Sequence, residues 1–235
     1  MLWNRIYGLA ESQQLNLPAF GRLLLLKTPL DDSHWLIAPY RDLTRLATAL
    51  RTDAATRQVL TDHQVRLGLR ETDRPPADVE RQARYGKLIP GEDRQRDFTG
   101  QRVKELATPV QPDAPVPANR RGDREANVKN FWDTQTPQSH HIVEFNNLQT
   151  LGVSTKSGDS EMDYQRLPAV LLAAEFHQRY ITAVLRPAQR WSQAQLEAGI
   201  AGVYRELYLQ RSRLFEPLWA VSRVILKQAG LKNAG

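Results

Sequence analysis

The chain has 235 residues, of which 41% are apolar and 25% charged, with a formal net charge of +6 and no cysteine. This composition describes a globular chain that buries a sizeable core, and it excludes a disordered or fibrous protein. Without cysteine there is no disulfide, thiolate metal site or cysteine nucleophile, so any metal must be held by His, Asp, Glu or neutral oxygens.

In the first thirty residues the longest apolar run is Leu23 to Leu26, too short for the apolar region of a secretory signal. No stretch approaches the roughly 20 apolar residues of a membrane helix. The expectation is a chain without a membrane span, exported, if at all, without a cleaved leader. Arg22 to Pro29 and His34 to Tyr40 read as two apolar strands joined by the acidic turn Leu30-Asp31-Asp32-Ser33, a hairpin. Leu43, Leu46, Ala47 and Leu50 follow at helical spacing, and Thr52 or Asp53 caps a second helix through Val59 and Leu60. Arg74-Pro75-Pro76 stops it, and Val79 to Tyr85 reads as another short helix before Ile89-Pro90-Gly91.

Four prolines between Thr108 and Asn119, followed by the polar run Asn119 to Arg124, favour an extended linker. The predicted division is therefore an N-terminal domain over 1–107, a linker over 108–127 and a second domain over 128–235. Beyond the linker, Ser139 to Phe145 reads as a short strand and Gly152 to Asp163 as a polar loop. Leu167-Pro168 reads as the start of a helix carrying Val170, Leu171, Phe176, His177 and Ile181. Ser192 caps a further helix, and Glu216-Pro217 opens the last, closed by Gly230. The fold class read from these elements is α+β and mainly helical.

The basic surplus is confined to one region. Residues 164–235 hold ten Lys and Arg against four acidic residues, whereas the first 163 balance at 22 of each. An Arg-rich helical region is the electrostatic footprint of a polyanion-binding protein, or simply a solvated helix face. Gly8, Gly21, Gly86 and Gly91 have neither dinucleotide nor Walker spacing. Asp31-Asp32 reads as an acidic turn, and Trp191, Tyr204, Tyr208, Phe215 and Trp219 as core aromatics.

Of the five histidines, His34 and His63 read as surface residues, and His140, His141 and His177 cluster beyond the linker. Adjacent histidines on a regular strand point to opposite faces, so His140 and His141 serve one site only at a strand end or bulge. Placing them at the start of the predicted strand allows such a distortion. The alternative is one buried core histidine beside one solvent-facing neighbour.

The run Ser139-His140-His141-Ile142-Val143-Glu144, then Asn146-Asn147-Leu148, Asp163-Tyr164, and Leu167 to Leu172 leading to His177, resembles the ββα-metal nucleases. These are also called His-Me finger or HNH endonucleases, and the likeness is to their Ser-His-His subgroup among bacterial polymorphic toxins. It covers about residues 130–185. The resemblance implies an HNH-like domain with C-terminal helices; it does not reach the smaller N-terminal hairpin-plus-helices domain, whose role stays open, with delivery or docking suspected. It implies His141 as the general base, His140 and His177 as ligands of one divalent ion (magnesium, or zinc, nickel or manganese), and a DNA substrate, with RNA open. Glu144 and Glu175 are possible carboxylate contributors, Asn146 or Asn147 a possible brace and Arg179 a phosphate clamp. The chain departs from the family in lacking an asparagine about ten residues before His177, where Arg166-Leu167-Pro168 stands, and in having Ile181 one turn beyond it.

The function expected on these grounds is a metal-dependent DNase acting as an antibacterial effector in the cytoplasm of a target cell, restrained in its producer by an acidic immunity protein. Two other classes fit the same residues. One is a non-enzymatic DNA- or partner-binding module with a structural histidine metal site. The other is a scaffold whose basic helices meet an acidic partner.

Overall fold

The structure is a computed structural model that describes residues 1–9, 12–68, 137–156, 158, 162–210 and 212–231, leaving aside the side chains of 175, 178–180 and 183. It is an α+β fold around a six-stranded sheet. β1 (Ser12–Asn16), β2 (Arg22–Lys27), β3 (His34–Pro39), β6 (Pro168–Ala173) and β5 (Pro137–His141) lie side by side in that order, and β4 (Val65–Arg66) joins β3. Neighbours are antiparallel except for the short β3–β4 pair.

The hairpin forms where the sequence predicts it. Leu23 to Leu26 and Trp35 to Ala38 are buried on both faces of the sheet, and Leu24 lies opposite Ile37. The turn between them is anchored by Asp31, which accepts from the Ser33 amide at 3.0 Å and from the Thr28 and Ser33 hydroxyls. Asp31 also pairs with Arg66, whose side chain is wholly buried. Burial alone would raise the Asp31 carboxyl, but the hydrogen bonds from Ser33, Thr28 and Arg66 outweigh it and hold the carboxyl well below the usual carboxylate range. The acidic pair at 31–32 is thus a turn device, as its sequence suggests.

α2 (Tyr40–Ala49) and α3 (Ala54–Asp62) follow β3. Asp53 caps α3 through the Thr56 amide at 3.1 Å. Farther along the chain come α4 (Phe145–Thr150) and then α5, which begins at Ala174–Phe176, widens into a π-helical stretch at His177–Thr182 and ends at Ala183–Leu185. α6 (Gln193–Arg205) continues into a π turn at Glu206–Gln210, and α7 (Glu216–Gln228) ends before Gly230, whose φ of +90° suits a residue without a side chain. Ser192 and Gln195 form a capping box at the start of α6. α1 (Leu2–Tyr7) and β1 have no counterpart among the predicted elements. Among the described residues, no helix is long and apolar enough to cross a membrane.

Three predictions from sequence need correction. The segment at Leu167-Pro168 is a strand before it is a helix. Every residue from Pro168 to Ala173 is buried, and a short, continuously apolar run matches a two-sided buried strand as well as a helix interior. The strand predicted over Ser139 to Phe145 ends at His141, and Phe145 begins α4, so the histidine pair stands at the strand's end rather than its start. Finally, the segments assigned to separate domains at 1–107 and 128–235 share one sheet: β3 pairs with β6 through Ile37↔Val170, Ala38↔Ala169 and Pro39↔Pro168. One buried apolar cluster runs from Leu2 to Leu226. The linker at 108–127 and the helix predicted at Val79–Tyr85 lie outside the described residues.

The sheet has helices on both faces. Trp35 stacks on Phe215 with ring centroids 5.1 Å apart and donates its indole N–H to the Leu214 carbonyl at 2.6 Å, which ties one face to the C-terminal helices. On the other face α2 crosses β5, where the Thr44 and Ser139 hydroxyls are bonded at 2.7 Å. Because both ends of the chain depend on β6, Leu171→Ala should cost about 2–5 kcal/mol. Urea unfolding should remain one transition whether followed at Trp35 or Trp219. Two separated transitions, or a loss below about 1 kcal/mol, would contradict a shared core.

Candidate metal centre

The alternation of β5 persists to its last residue and divides the two adjacent histidines. Gln138 and His140 face the C-terminal helices, whereas Ser139 and His141 face α2. β6 lies alongside in antiparallel register, with His140 opposite Val170 and Gln138 opposite Leu172. It then runs directly into α5, which brings His177 back over β5 so that the His140 and His177 ring centroids are 4.6 Å apart. After the strand the chain turns at Ile142 and Val143, both buried, and Glu144 reaches the same place from the entrance to α4.

His140, Glu144 and His177 therefore converge, each offering one ligand atom, and these atoms all lie within 4.8 Å of one another. Donors held about 2.1 Å from a tetrahedral ion stand about 3.4 Å apart. The distance from His140 Nδ1 to Glu144 Oε1 is 3.7 Å, beyond a hydrogen bond and close to that spacing. His177 donates Nδ1–H to Gln138 Oε1 at 3.1 Å, since an amide oxygen only accepts; its Nε2 therefore carries the lone pair. A small inward movement would complete two nitrogens and one carboxylate oxygen, a donor set suited to zinc, nickel or manganese and less so to magnesium.

The electrostatics point the same way. Burial, together with the charges that His177 and His141 would carry, holds His140 well below the ordinary imidazole value. Burial likewise lowers His177 and raises Glu144 to about 7. His140 and Glu144 are thus not an ion pair in the metal-free protein. The imidazoles keep their lone pairs available at neutral pH, and the carboxyl is raised by desolvation, which a cation would offset.

His141 stands apart from these three. Its ring stacks on Tyr40 at 4.0 Å and lies 5.5 Å from Phe145. Nε2–H donates to the Tyr164 carbonyl at 2.8 Å, which leaves Nδ1 as the basic nitrogen of the neutral ring. Burial lowers its pKa, only partly opposed by that hydrogen bond. Asn147 is buried and donates at 3.3 Å to the Tyr204 hydroxyl, which also accepts the Glu144 amide at 2.8 Å. Its role is to hold the Glu144 end of α4, and the structure gives it no bond to His141. The side chains of Glu175 and Arg179 lie outside the described residues.

Helical spacing marks Tyr204 and Tyr208 as core aromatics, and nothing in the sequence singles out Gln138. All three touch the cluster or its supports. The signal was present in part: Tyr204 and Tyr208 are one helical turn apart, and buried tyrosine hydroxyls require partners.

No protein-family model, no curated protein and no solved structure matches this chain.

The raised carboxyl gives a signed expectation. A group whose folded pKa lies above its unfolded value of 4.5 binds extra protons in the native state, so its contribution is present below pH 4.5 and is lost as pH rises through about 7. Metal-free protein should lose up to about 3 kcal/mol of stability between pH 4 and pH 9 from this residue alone, and Glu144→Gln should abolish that loss. Saturating zinc should remove the loss as well, because an ionised Glu144 is then paired. Identical pH profiles for the two proteins, measured by denaturant unfolding, would show Glu144 to be ordinarily solvated.

Proposed function

We propose that the protein is a divalent-cation-dependent endonuclease of the ββα-metal type, hydrolysing phosphodiester bonds in DNA. The observation that carries this reading is the convergence of His140, Glu144 and His177 from a strand end, the turn after it and the helix following a second, antiparallel strand. Three protein ligands leave coordination positions for water and phosphate oxygens, the pattern of reactive rather than purely structural sites. A bound ion would stabilise charge on the phosphate and on the leaving oxygen.

The chain's own residues have separable parts in this reading. His140, His177 and Glu144 hold the ion. The general-base role is assigned to His141 from its place in the Ser139-His140-His141 run; its ring lies on the α2 side of the strand end, stacked on Tyr40, with Nε2 committed to the Tyr164 carbonyl and Nδ1 left basic. Exposed arginines of the C-terminal region, Arg186, Arg190 and Arg205, attract the polyanion, and a proposed clamping role for Arg179 rests on sequence alone. The biological setting that fits is an antibacterial effector acting inside a target cell, neutralised in its producer by an acidic immunity protein that covers the basic surface.

A second reading is favoured by the near-complete burial of His140, 2% exposed. In it, the same three residues hold a structural ion in a non-enzymatic module. Plasmid incubated with the protein and magnesium, manganese, nickel or zinc separates the two. Cleavage is expected with at least one metal, and His141→Ala should lower the rate at least about a hundredfold. Intact plasmid under every metal, with zinc bound stoichiometrically, would establish the structural reading instead.

A further inference from the structure

We infer that Tyr208 is a positioning residue for the metal centre, setting the tautomer of His140 so that Nδ1 is presented to Glu144 and His177. This rests on the metal-binding part of the proposed function and not on its nuclease part.

The tautomer follows from counting hydrogens. A tyrosine hydroxyl has one hydrogen to give. Tyr208 gives it to the Ile142 carbonyl, at 3.0 Å, and a carbonyl only accepts. The same hydroxyl oxygen lies 3.3 Å from His140 Nε2. With its hydrogen committed, the oxygen can only accept there, so Nε2 carries the ring hydrogen. The neutral ring then has its lone pair at Nδ1, the nitrogen 3.7 Å from Glu144 Oε1.

The opposite tautomer would be attractive to His140 in the absence of this contact. An Nδ1–H would face the Glu144 carboxylate and could close the gap as a charge-assisted hydrogen bond, which would remove one donor from the centre. It would also set the Nε2 lone pair against the oxygen lone pairs of Tyr208, between two buried side chains. The hydroxyl hydrogen can rotate about the C–O bond, but giving it to Nε2 would take this donor from the carbonyl of the wholly buried Ile142. Tyr208 is wholly buried, with its ring 5.9 Å from Tyr204 and 6.1 Å from Phe215. Its acceptor, Ile142, is the second residue before Glu144, so one hydroxyl ties the first ligand to the turn that delivers the carboxylate. Support of this kind around metal-binding imidazoles is worth about 10–100-fold in affinity.

The test uses the full chain. In metal-free protein with 15N-labelled histidine, long-range proton–nitrogen spectra should show His140 as the Nε2–H tautomer. In Tyr208→Phe, which keeps the ring and removes only the hydroxyl, the Nδ1–H form should appear. Zinc affinity by calorimetry should then fall about 10–100-fold, and the visible spectrum of the cobalt-loaded protein should change. Tyr204→Phe, which deletes an equally buried hydroxyl bonded to Glu144 and Asn147 rather than to His140, should leave the His140 tautomer unchanged. Should Tyr208→Phe fail to fold, the unsubstituted protein still decides the matter: His140 in the Nδ1–H form overturns the inference. So does a folded Tyr208→Phe with unaltered tautomer and zinc affinity. Absence of zinc and cobalt binding to the unsubstituted protein overturns the metal reading and this inference together, whereas tight binding without plasmid cleavage overturns only the nuclease reading.

Discussion

The pairing of β6 with β3 on one side and β5 on the other determines where every residue of the candidate centre stands. β6 is buried along its whole length, and its six apolar residues have no face that tolerates water. A slip of one residue in its register would reverse which β5 side chains face the C-terminal helices. His140 and His141 would then exchange places. The same strand ends at Ala173 and α5 begins at the next residue, so the position of His177 follows from that register too. A hydrophobic constraint thereby fixes a polar geometry, and it does so using strands from both ends of the chain.

The polar supports obey a second rule, that each buried hydrogen-bonding atom be matched with the right kind of partner. Tyr204 accepts from the Glu144 amide and the Asn147 side chain, while Tyr208 donates to Ile142. Both tyrosines come from the end of α6, where the helix widens into its π turn. Burial raises both phenols, with neighbouring charges adding to the effect, so they remain neutral hydrogen-bonding groups. They link α6 to the strand end and to α4 without introducing charge.

Local features of the sequence were readable because their physical causes are local. The 28–33 turn, the Asp53 cap and the Ser192 capping box are set by side chains within a few residues of the backbone they satisfy. The apolar run at 168–173 was not, because nothing within it distinguishes a buried strand from a buried helix; β3, some 130 residues earlier in sequence, makes it a strand. The same long-range pairing is why two domains were expected where one sheet is found. At the centre, the histidine pair and His177 could be singled out from residue type and order. Gln138 and the tyrosines could not, since their contribution is the direction of a hydrogen bond across as many as 68 positions.

Two carboxyls in this protein, one partly and one largely buried, sit in opposite electrostatic surroundings. Asp31 has Arg66 beside it and donors from Ser33 and Thr28, and its carboxyl is held strongly acidic despite partial burial. Glu144 is also buried, yet among the described residues it meets no guanidinium or ammonium group, and desolvation raises it to about 7. What faces it instead is a bare imidazole nitrogen 3.7 Å away. Ionised carboxylate against nitrogen lone pair is an unfavourable arrangement in a dry interior unless something positive stands between them. In the hairpin turn that positive charge is built into the chain as Arg66. At the strand end the described residues supply the acceptors His140, Glu144 and His177, two of them already oriented by Tyr208 and Gln138 on their far sides, and such a set could take its positive charge from a bound cation.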